Sequence, residues 1–425
     1  MLDIRLIRED ADSIKERVKL RGGDAWQLVD KILECDEVRR KTETEKQQLQ
    51  GDRKRISKDI GKLKKEGKDT SEIETQVREI GEQIKEIGER ADAADAERDS
   101  LLLQVPNVPH EKCPVGEDES ANPVIKEWGE QPTFDGFEPK DHVALGEIQS
   151  LFSFELGAKV SGSGFIAFTG AGAKLQRALI QFLLDRHTEK HGYTEISPPF
   201  IINRDCMFGT GQLPKFEDDM YGLEENAFFL APTAEVPVTN LYRDQILKED
   251  EFPVKLTAYT PCFRREAGSA GRESRGMIRM HQFDKVELVN IVHPDKSFEQ
   301  LEELTKEAET ILELLGLHYR TIELCTGDIG FSATKTYDIE VWAPGHGSYL
   351  EVSSCSNFGD YQARRMKLRY KDAETGKNLF CHTLNGSGTA LPRLYVALVE
   401  TYQQADGSIK IPEALQPYFG GDQIG

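Results

Sequence analysis

Phe263-Arg264-Arg265-Glu266 precedes a run of small and charged residues, Ala267-Gly268-Ser269-Ala270-Gly271-Arg272-Glu273-Ser274-Arg275-Gly276, and His281-Gln282-Phe283 follows fifteen residues after Glu266. The flanking chain is apolar and β-branched, so residues 254–264 and 278–291 read as two antiparallel strands joined by a long polar loop. Such a hairpin carries the guanidinium of Arg264 on one strand and the aromatic ring of Phe283 on the other. A strand-borne guanidinium can grip a phosphate and stabilise charge that develops on it, and a ring can stack on a planar base. Phe-Arg-x-Glu alone is only four residues long and also describes an ordinary strand with a surface ion pair. What flanks it decides.

Around this hairpin the chain continues in short β runs broken by Gly and Pro. Strands are expected at 165–169, 193–198, 337–342 and 349–353, and helices at 174–191, 294–315 and 389–403. Strands in succession, without regular alternation with helices, predict an α+β domain with an antiparallel β-sheet flanked by helices. Residues 112–139, rich in Pro, Gly and acid, read as a covering loop or approach segment.

The first hundred residues differ. No proline occurs before Pro106, and Ile73, Val77, Ile80, Ile84, Ile87, Ala91, Ala94, Arg98 and Leu101 alternate spacings of four and three; Leu49, Ile56, Ile60 and Leu63 share the seam rhythm. Between the two runs lies Lys64-Lys65-Glu66-Gly67-Lys68-Asp69-Thr70-Ser71, where Gly can end one helix and Asp, Thr or Ser can start the next. The expected result is a long antiparallel helical coiled-coil arm of roughly 50 Å, at about 1.5 Å per residue. Near its tip, Arg53, Lys54, Arg55, Lys58, Lys62, Lys64, Lys65 and Lys68 face only Asp59 and Glu66. This concentration of one sign suggests a phosphate-binding stripe as well as a solvated face. The boundary is expected at Val105-Pro106-Asn107-Val108-Pro109, giving domains 1–108 and 109–425.

The formal net charge of −20 repels nucleic acid, so any RNA contact must come from a local basic patch such as that stripe. Seven scattered cysteines, with no C-x-x-C pair, suggest neither a disulfide framework nor a zinc ribbon and suit a reducing cytoplasm. No apolar run approaches the roughly 18 residues of a membrane span, and acidic residues interrupt the first ten.

Three segments in order resemble motifs 1, 2 and 3 of the class II aminoacyl-tRNA synthetases. Gly192-Tyr193-Thr194-Glu195-Ile196-Ser197-Pro198-Pro199, after an apolar-periodic helix, resembles motif 1, which in that family builds a homodimer interface; the hairpin resembles motif 2. Asn385-Gly386-Ser387-Gly388-Thr389-Ala390-Leu391-Pro392-Arg393 resembles motif 3, with Pro392 where many synthetases have glycine and Thr389 where many seryl enzymes have leucine. Proline is acceptable in a first helical turn. With the arm, the Ala231-Pro232-Thr233-Ala234-Glu235 turn and Gly347-Ser348-Tyr349-Leu350-Glu351-Val352-Ser353-Ser354-Cys355-Ser356-Asn357, the chain resembles the bacterial-type seryl-tRNA synthetases over essentially its whole length.

That resemblance implies activation of L-serine with ATP, then transfer to the 3′ end of tRNA(Ser), with tRNA(Sec) a second acceptor left open. It implies that Arg264, Glu266 and Arg393 are catalytic and that Arg265, Met280, Phe283, Val352 and Ser353 join them at ATP. Glu351 and Ser354 would contact ATP and hold Mg2+. Thr233, Ala234, Glu235, Glu287 and Ser387 would bind serine, and Cys355 would be a buried neighbour. Arg53, Lys54, Arg55, Lys58, Lys62, Lys64, Arg272 and Arg275 would meet tRNA. A carrier-protein ligase would lack the arm, a non-catalytic paralogue would be expected to lose Arg264, Glu266, Glu351 or Arg393, and a purely structural coiled coil would leave three hundred residues unexplained.

Overall fold

The alternating spacing becomes a helical hairpin, Leu28–Lys65 and Ser71–Leu102, preceded by the short helices Ile4–Glu9 and Ala11–Lys19. Along the seam Ile80, Ile87, Ala91 and Ala94 are buried. The first long helix ends at Gly67, whose φ is +73°, where Gly67 N–H donates to Lys64 O at 3.2 Å and Lys68 N–H to Leu63 O at 3.0 Å. This pair of bonds satisfies carbonyls that the helix end would otherwise orphan. The Asp69 carboxylate then accepts from Ser71 N–H at 3.0 Å as the second helix begins.

At the base of the hairpin Asp36 is buried, with guanidinium nitrogens of Arg8, Arg39 and Arg98 at 3.5, 3.6 and 3.6 Å. One carboxylate thus joins three helices of the arm.

The computed structural model describes residues 1–267 and 276–425. Its contacts divide the chain into two units, Leu2–Pro106 and Asn107–Gly425 together with Met1. In the second unit, among the described residues, eight strands form one sheet in the order Val124–Trp128, Tyr319–Glu323, Lys335–Ala343, Ser348–Asn357, His382–Ala390, Gln282–Val292, Val254–Phe263 and Thr194–Glu195. Neighbours are antiparallel except the last pair, so the antiparallel expectation is borne out. Leu175, Leu179 and Leu183 of the Gly170–Lys190 helix join one apolar core with Leu301, Leu304 and Ile311 of Ser297–Leu314 and Leu394 and Leu398 of Leu391–Thr401.

Several boundaries differ from the sequence reading for identifiable reasons. Residues 112–139 contain the edge strand Val124–Trp128, masked in the sequence by Lys126 and Glu127, charges that suit an edge. Helix 389–403 begins only at Leu391, because Thr389 and Ala390 still pair with Val286 and Lys285 and Pro392 lies in the helix's first turn. The strand expected from residue 278 starts at Gln282, since the His281 N–H is taken by Gly164 O at 3.0 Å. Pro294 opens a separate 3₁₀ turn before its helix. No helix among the described residues is long and apolar enough to cross a membrane, and all seven cysteines are free.

Replacing Asp36 with Ala removes the carboxylate that three guanidinium groups share, although Arg39 and Arg98 keep Asp95 and Arg98 also Asp99. Urea unfolding followed by the helical circular dichroism signal is expected to show a loss of about 1–3 kcal/mol, as for removal of a buried partner tempered by the partly exposed arginines. An unchanged midpoint would mean that the arm does not depend on Asp36.

Candidate active site

The strand Gln282–Val292 runs between Val254–Phe263 and His382–Ala390, with Phe283 opposite Cys262, Glu287 opposite Ala258 on one side and Ser387 on the other. Register shifts at two places beside the cavity. Val286 pairs with Thr389 while Glu287 pairs with Ser387, so Gly388 is the extra residue; Ile339 pairs with Ser353 while Glu340 pairs with Glu351, so Val352 is extra. In a regular strand residues i and i+3 point to opposite faces. The bulge at Val352 lets Glu351 and Ser354 line the same cavity. At Gly388 a Cβ would come within 2.7 Å of His187 Nε2, so the second bulge fits only a residue without a side chain.

The cavity holds about 650 Å³, within the usual range for a small-molecule site. One group of residues is suited to phosphate and base. Arg264 Nε donates to Pro232 O at 3.2 Å and its guanidinium lies 5.2 Å from the centre of the Phe283 ring. Arg393 Nη1 donates to Glu351 O at 2.8 Å and approaches Glu351 Oε2 at 3.3 Å. Glu266, with φ of +51°, pairs with Arg279 at 3.2 Å.

A second group is rich in carboxylate. Lys285 Nζ lies 2.5 Å from Glu287 Oε2 and donates to Thr233 Oγ1 at 2.9 Å. Glu235 accepts from Gln362 Nε2 at 2.6 Å, and Thr383 Oγ1 donates to Gln362 Oε1 at 2.7 Å, which fixes the orientation of that amide. Desolvation, then the charge of Glu287, pushes the Glu235 carboxyl up to about 7, against the hydrogen bond from Gln362. Burial pushes the Cys355 thiol up to about 12, which makes it a poor nucleophile.

Two supports lie behind these groups. Asp219 accepts from Arg265 N–H through its carbonyl at 2.9 Å and from Ala267 N–H through Oδ1 at 2.9 Å, holding the start of the hairpin loop. Because His142 Nε2 accepts from Met277 N–H, its Nδ1 carries the proton and donates to Glu400 Oε1 at 2.9 Å; Glu400 Oε2 accepts from Gly345 and His346 N–H at 2.9 and 3.0 Å.

Residues 1–109 match the family described as the seryl-tRNA synthetase N-terminal domain, and residues 215–402 match the class II tRNA synthetase core domain of the G, H, P, S and T enzymes. The serine–tRNA ligase of Akkermansia muciniphila is 66% identical over 424 residues, covering 100% of this chain and 99% of that protein. That of Caldanaerobacter subterraneus subsp. tengcongensis is 50% identical over 424 residues, with the same coverage. The chain belongs to the seryl-tRNA synthetase family. A crystal structure of the Pyrococcus horikoshii seryl-tRNA synthetase complexed with ATP superposes with a TM-score of 0.94 at 37% identity, covering 100% of this chain and 99% of that one.

Among the residues that the seryl-tRNA synthetase resemblance singled out, Thr233, Glu235, Arg264, Glu266, Met280, Phe283, Glu287, Glu351, Val352, Ser354, Ser387 and Arg393 line this one cavity. Ala234, Arg265 and Ser353 do not line it: Ala234 belongs to an apolar cluster, Arg265 is exposed, and Ser353 Oγ donates to Ser387 O at 2.6 Å. Arg53, Lys54, Arg55, Lys58, Lys62 and Lys64 are all exposed on the arm; Arg55 pairs with Asp52 and Lys64 with Glu74. Arg272 and Arg275 lie outside the described residues. Lys285, Arg279, Asp219, His142 and Gln362 were missed. Only Lys285 carried a signal, since it sits two residues before Glu287 on the same strand and so shares its face.

Carbon-13 detection of the glutamate carboxyls is expected to find one group titrating near 7 and to assign it to Glu235. Substituting Glu287→Gln removes the neighbouring negative charge and should lower that midpoint. Substituting Gln362→Leu removes a donor to the charged form and should raise it. Midpoints indifferent to both changes would contradict the arrangement described.

Proposed function

We propose that this chain is a serine–tRNA ligase that activates L-serine with ATP and transfers the seryl group to the 3′ end of tRNA(Ser). The observation that carries the reading is one cavity in which Glu235, Thr233 and Glu287 meet Arg264, with Phe283 and Arg393 on the same walls. The carboxylates suit an ammonium and a short hydroxyl, and the arginines suit a carboxylate and a triphosphate. A carboxylate oxygen of serine attacks the α-phosphorus, the bond to the β-phosphate breaks, and pyrophosphate leaves. Arg264 is anchored beforehand by Pro232 O, so it can stabilise the charge on the α-phosphoryl oxygens without reorganising. In the second step the terminal ribose hydroxyl of tRNA attacks the seryl carbonyl and AMP departs.

Glu351 and Ser354 offer a carboxylate and a hydroxyl on the same wall, a hard oxygen pair that fits Mg2+ completed by phosphate oxygens and water. Among the described residues no group of three or more His, Cys, Asp and Glu is placed to hold a metal. The ion would neutralise phosphate charge. The remaining assignments are of the same standing: tRNA on the basic stripe, tRNA(Sec) as a second acceptor, assembly as a homodimer through the motif 1 segment, and residence in the cytoplasm.

Amino-acid-dependent exchange of pyrophosphate into ATP tests the substrate. Serine is expected to exceed threonine, alanine and cysteine. A hydrogen-bonded hydroxyl subsite can disfavour alanine strongly, whereas threonine must be excluded by one methyl group. A best substrate other than serine would overturn the assignment.

The arm carries a separate expectation, since its Arg53–Lys68 stripe is basic on an acidic chain and it lacks catalytic motifs. Replacing residues 36–95 with a short flexible linker should leave serine-dependent exchange within roughly a few-fold of the parent, as expected for an intact site. Aminoacylation should fall by orders of magnitude, and tRNA binding by the parent should weaken as salt rises. Equal loss of both activities in a folded protein would assign the arm to support of the catalytic unit.

A further inference from the structure

The carboxylate-rich part of the cavity already contains an ammonium group of its own. Lys285 and Glu287 lie two residues apart on the Gln282–Val292 strand and line the cavity together, and their side chains are only 8% and 3% exposed. Lys285 Nζ lies 2.5 Å from Glu287 Oε2 and donates to Thr233 Oγ1 at 2.9 Å. Thr233 Oγ1 also accepts from Glu235 N–H at 3.2 Å and donates to Glu287 Oε2 at 3.4 Å. A closed set of bonds therefore ties Lys285, Thr233, Glu235 and Glu287. The contacts from Lys285 and Thr233 both fall on Oε2 of Glu287, and neither uses Oε1.

We propose that Lys285 is a positioning residue for the amino acid: its ammonium clamps Glu287 Oε2 beside Thr233, so that Glu287 receives the ammonium of serine in one fixed geometry. This rests on the serine reading given above. Two carboxylates in one largely buried pocket repel each other and can each adopt more than one rotamer. A fixed cation opposes the repulsion and selects a rotamer. A purely structural ion pair could be replaced by apolar packing with little loss, but this pair lines the cavity, where an apolar substitute for Lys285 would leave the Glu287 carboxylate without its cation.

The test compares Lys285→Met, which keeps length without charge, with Lys285→Arg, in pyrophosphate exchange and in calorimetric titration with serine. Lys285→Met should raise the KM and Kd for serine by roughly tenfold to a hundredfold, while kcat and the KM for ATP stay within about three-fold, the pattern of lost ligand binding. Lys285→Arg should recover part of the serine affinity. If the methionine variant does not fold, Lys285→Gln, a neutral donor, is read in the same way. Unchanged serine KM and Kd would overturn the proposal, as would a parallel rise in the KM for ATP, a fall in kcat with serine KM unaltered, or no gain from arginine. The parent enzyme separates the two levels of the argument. Failure of the parent to exchange with serine removes the functional reading as well, whereas a serine-active parent with an indifferent Lys285 removes only this role.

Discussion

The pairing of the Gln282–Val292 strand with neighbours on both sides is the constraint on which the catalytic unit depends. From Lys285 to Val292 every residue of this strand is buried. Its core-facing residues Val286, Leu288 and Val292 join the main apolar core, where helices pack on the sheet. On the cavity side stand Phe283, Lys285 and Glu287. A shift of register by one residue would exchange these faces, driving Lys285 and Glu287 into hydrocarbon and placing Val286 and Leu288 on the cavity. The site and the core therefore specify the same pairing, and neither can change alone.

That shared pairing explains why departures from regular strand geometry occur beside the cavity. Regular alternation would place Glu351 and Ser354 on opposite faces, and the extra residue Val352 brings them together. Gly388 does the corresponding work opposite Glu287, where His187 leaves no room for a side chain. Bulges interrupt ladder hydrogen bonds, so they persist where neighbouring strands are long enough to hold the sheet around them. The Ser348–Asn357 and His382–Ala390 strands meet that condition, being ten and nine residues long.

The degree to which each feature was legible in the sequence follows from the range over which its cause acts. The arm hairpin is local: spacings of three and four, one Gly and one Asp determine it, and the seam and its turn appear as expected. Motif 2 is nearly local, since both strands lie within thirty residues or so of their loop. The bulges were not legible, because an extra residue is defined only against the partner strand. Asp219, His142 and Gln362 act through partners far away in the chain, and nothing in their neighbourhoods signals it. Val124–Trp128 was hidden for the opposite reason, since charges that protect an edge strand also make it look like a loop. Resemblance to a family supplied many of the residues that line the cavity, but also named Ala234, Arg265 and Ser353, which sit beside lining residues in the chain and do not line it.

Two of the charged pairs that line the cavity, Lys285–Glu287 and Arg393–Glu351, differ in burial. Lys285 and Glu287 are almost wholly buried, and separating them would leave two desolvated charges, a cost that can reach several kcal/mol. Arg393 and Glu351 are 3.3 Å apart with the Glu351 side chain 46% exposed, so water can replace either partner, and such pairs are worth about 0–1 kcal/mol. The carboxylate-rich part of the site is consequently held in place before any ligand arrives. The Arg393–Glu351 side-chain contact can open at small cost, while Arg393 Nη1 keeps its bond to Glu351 O at 2.8 Å. The two pairs therefore give the two parts of the cavity different rigidity before any ligand arrives.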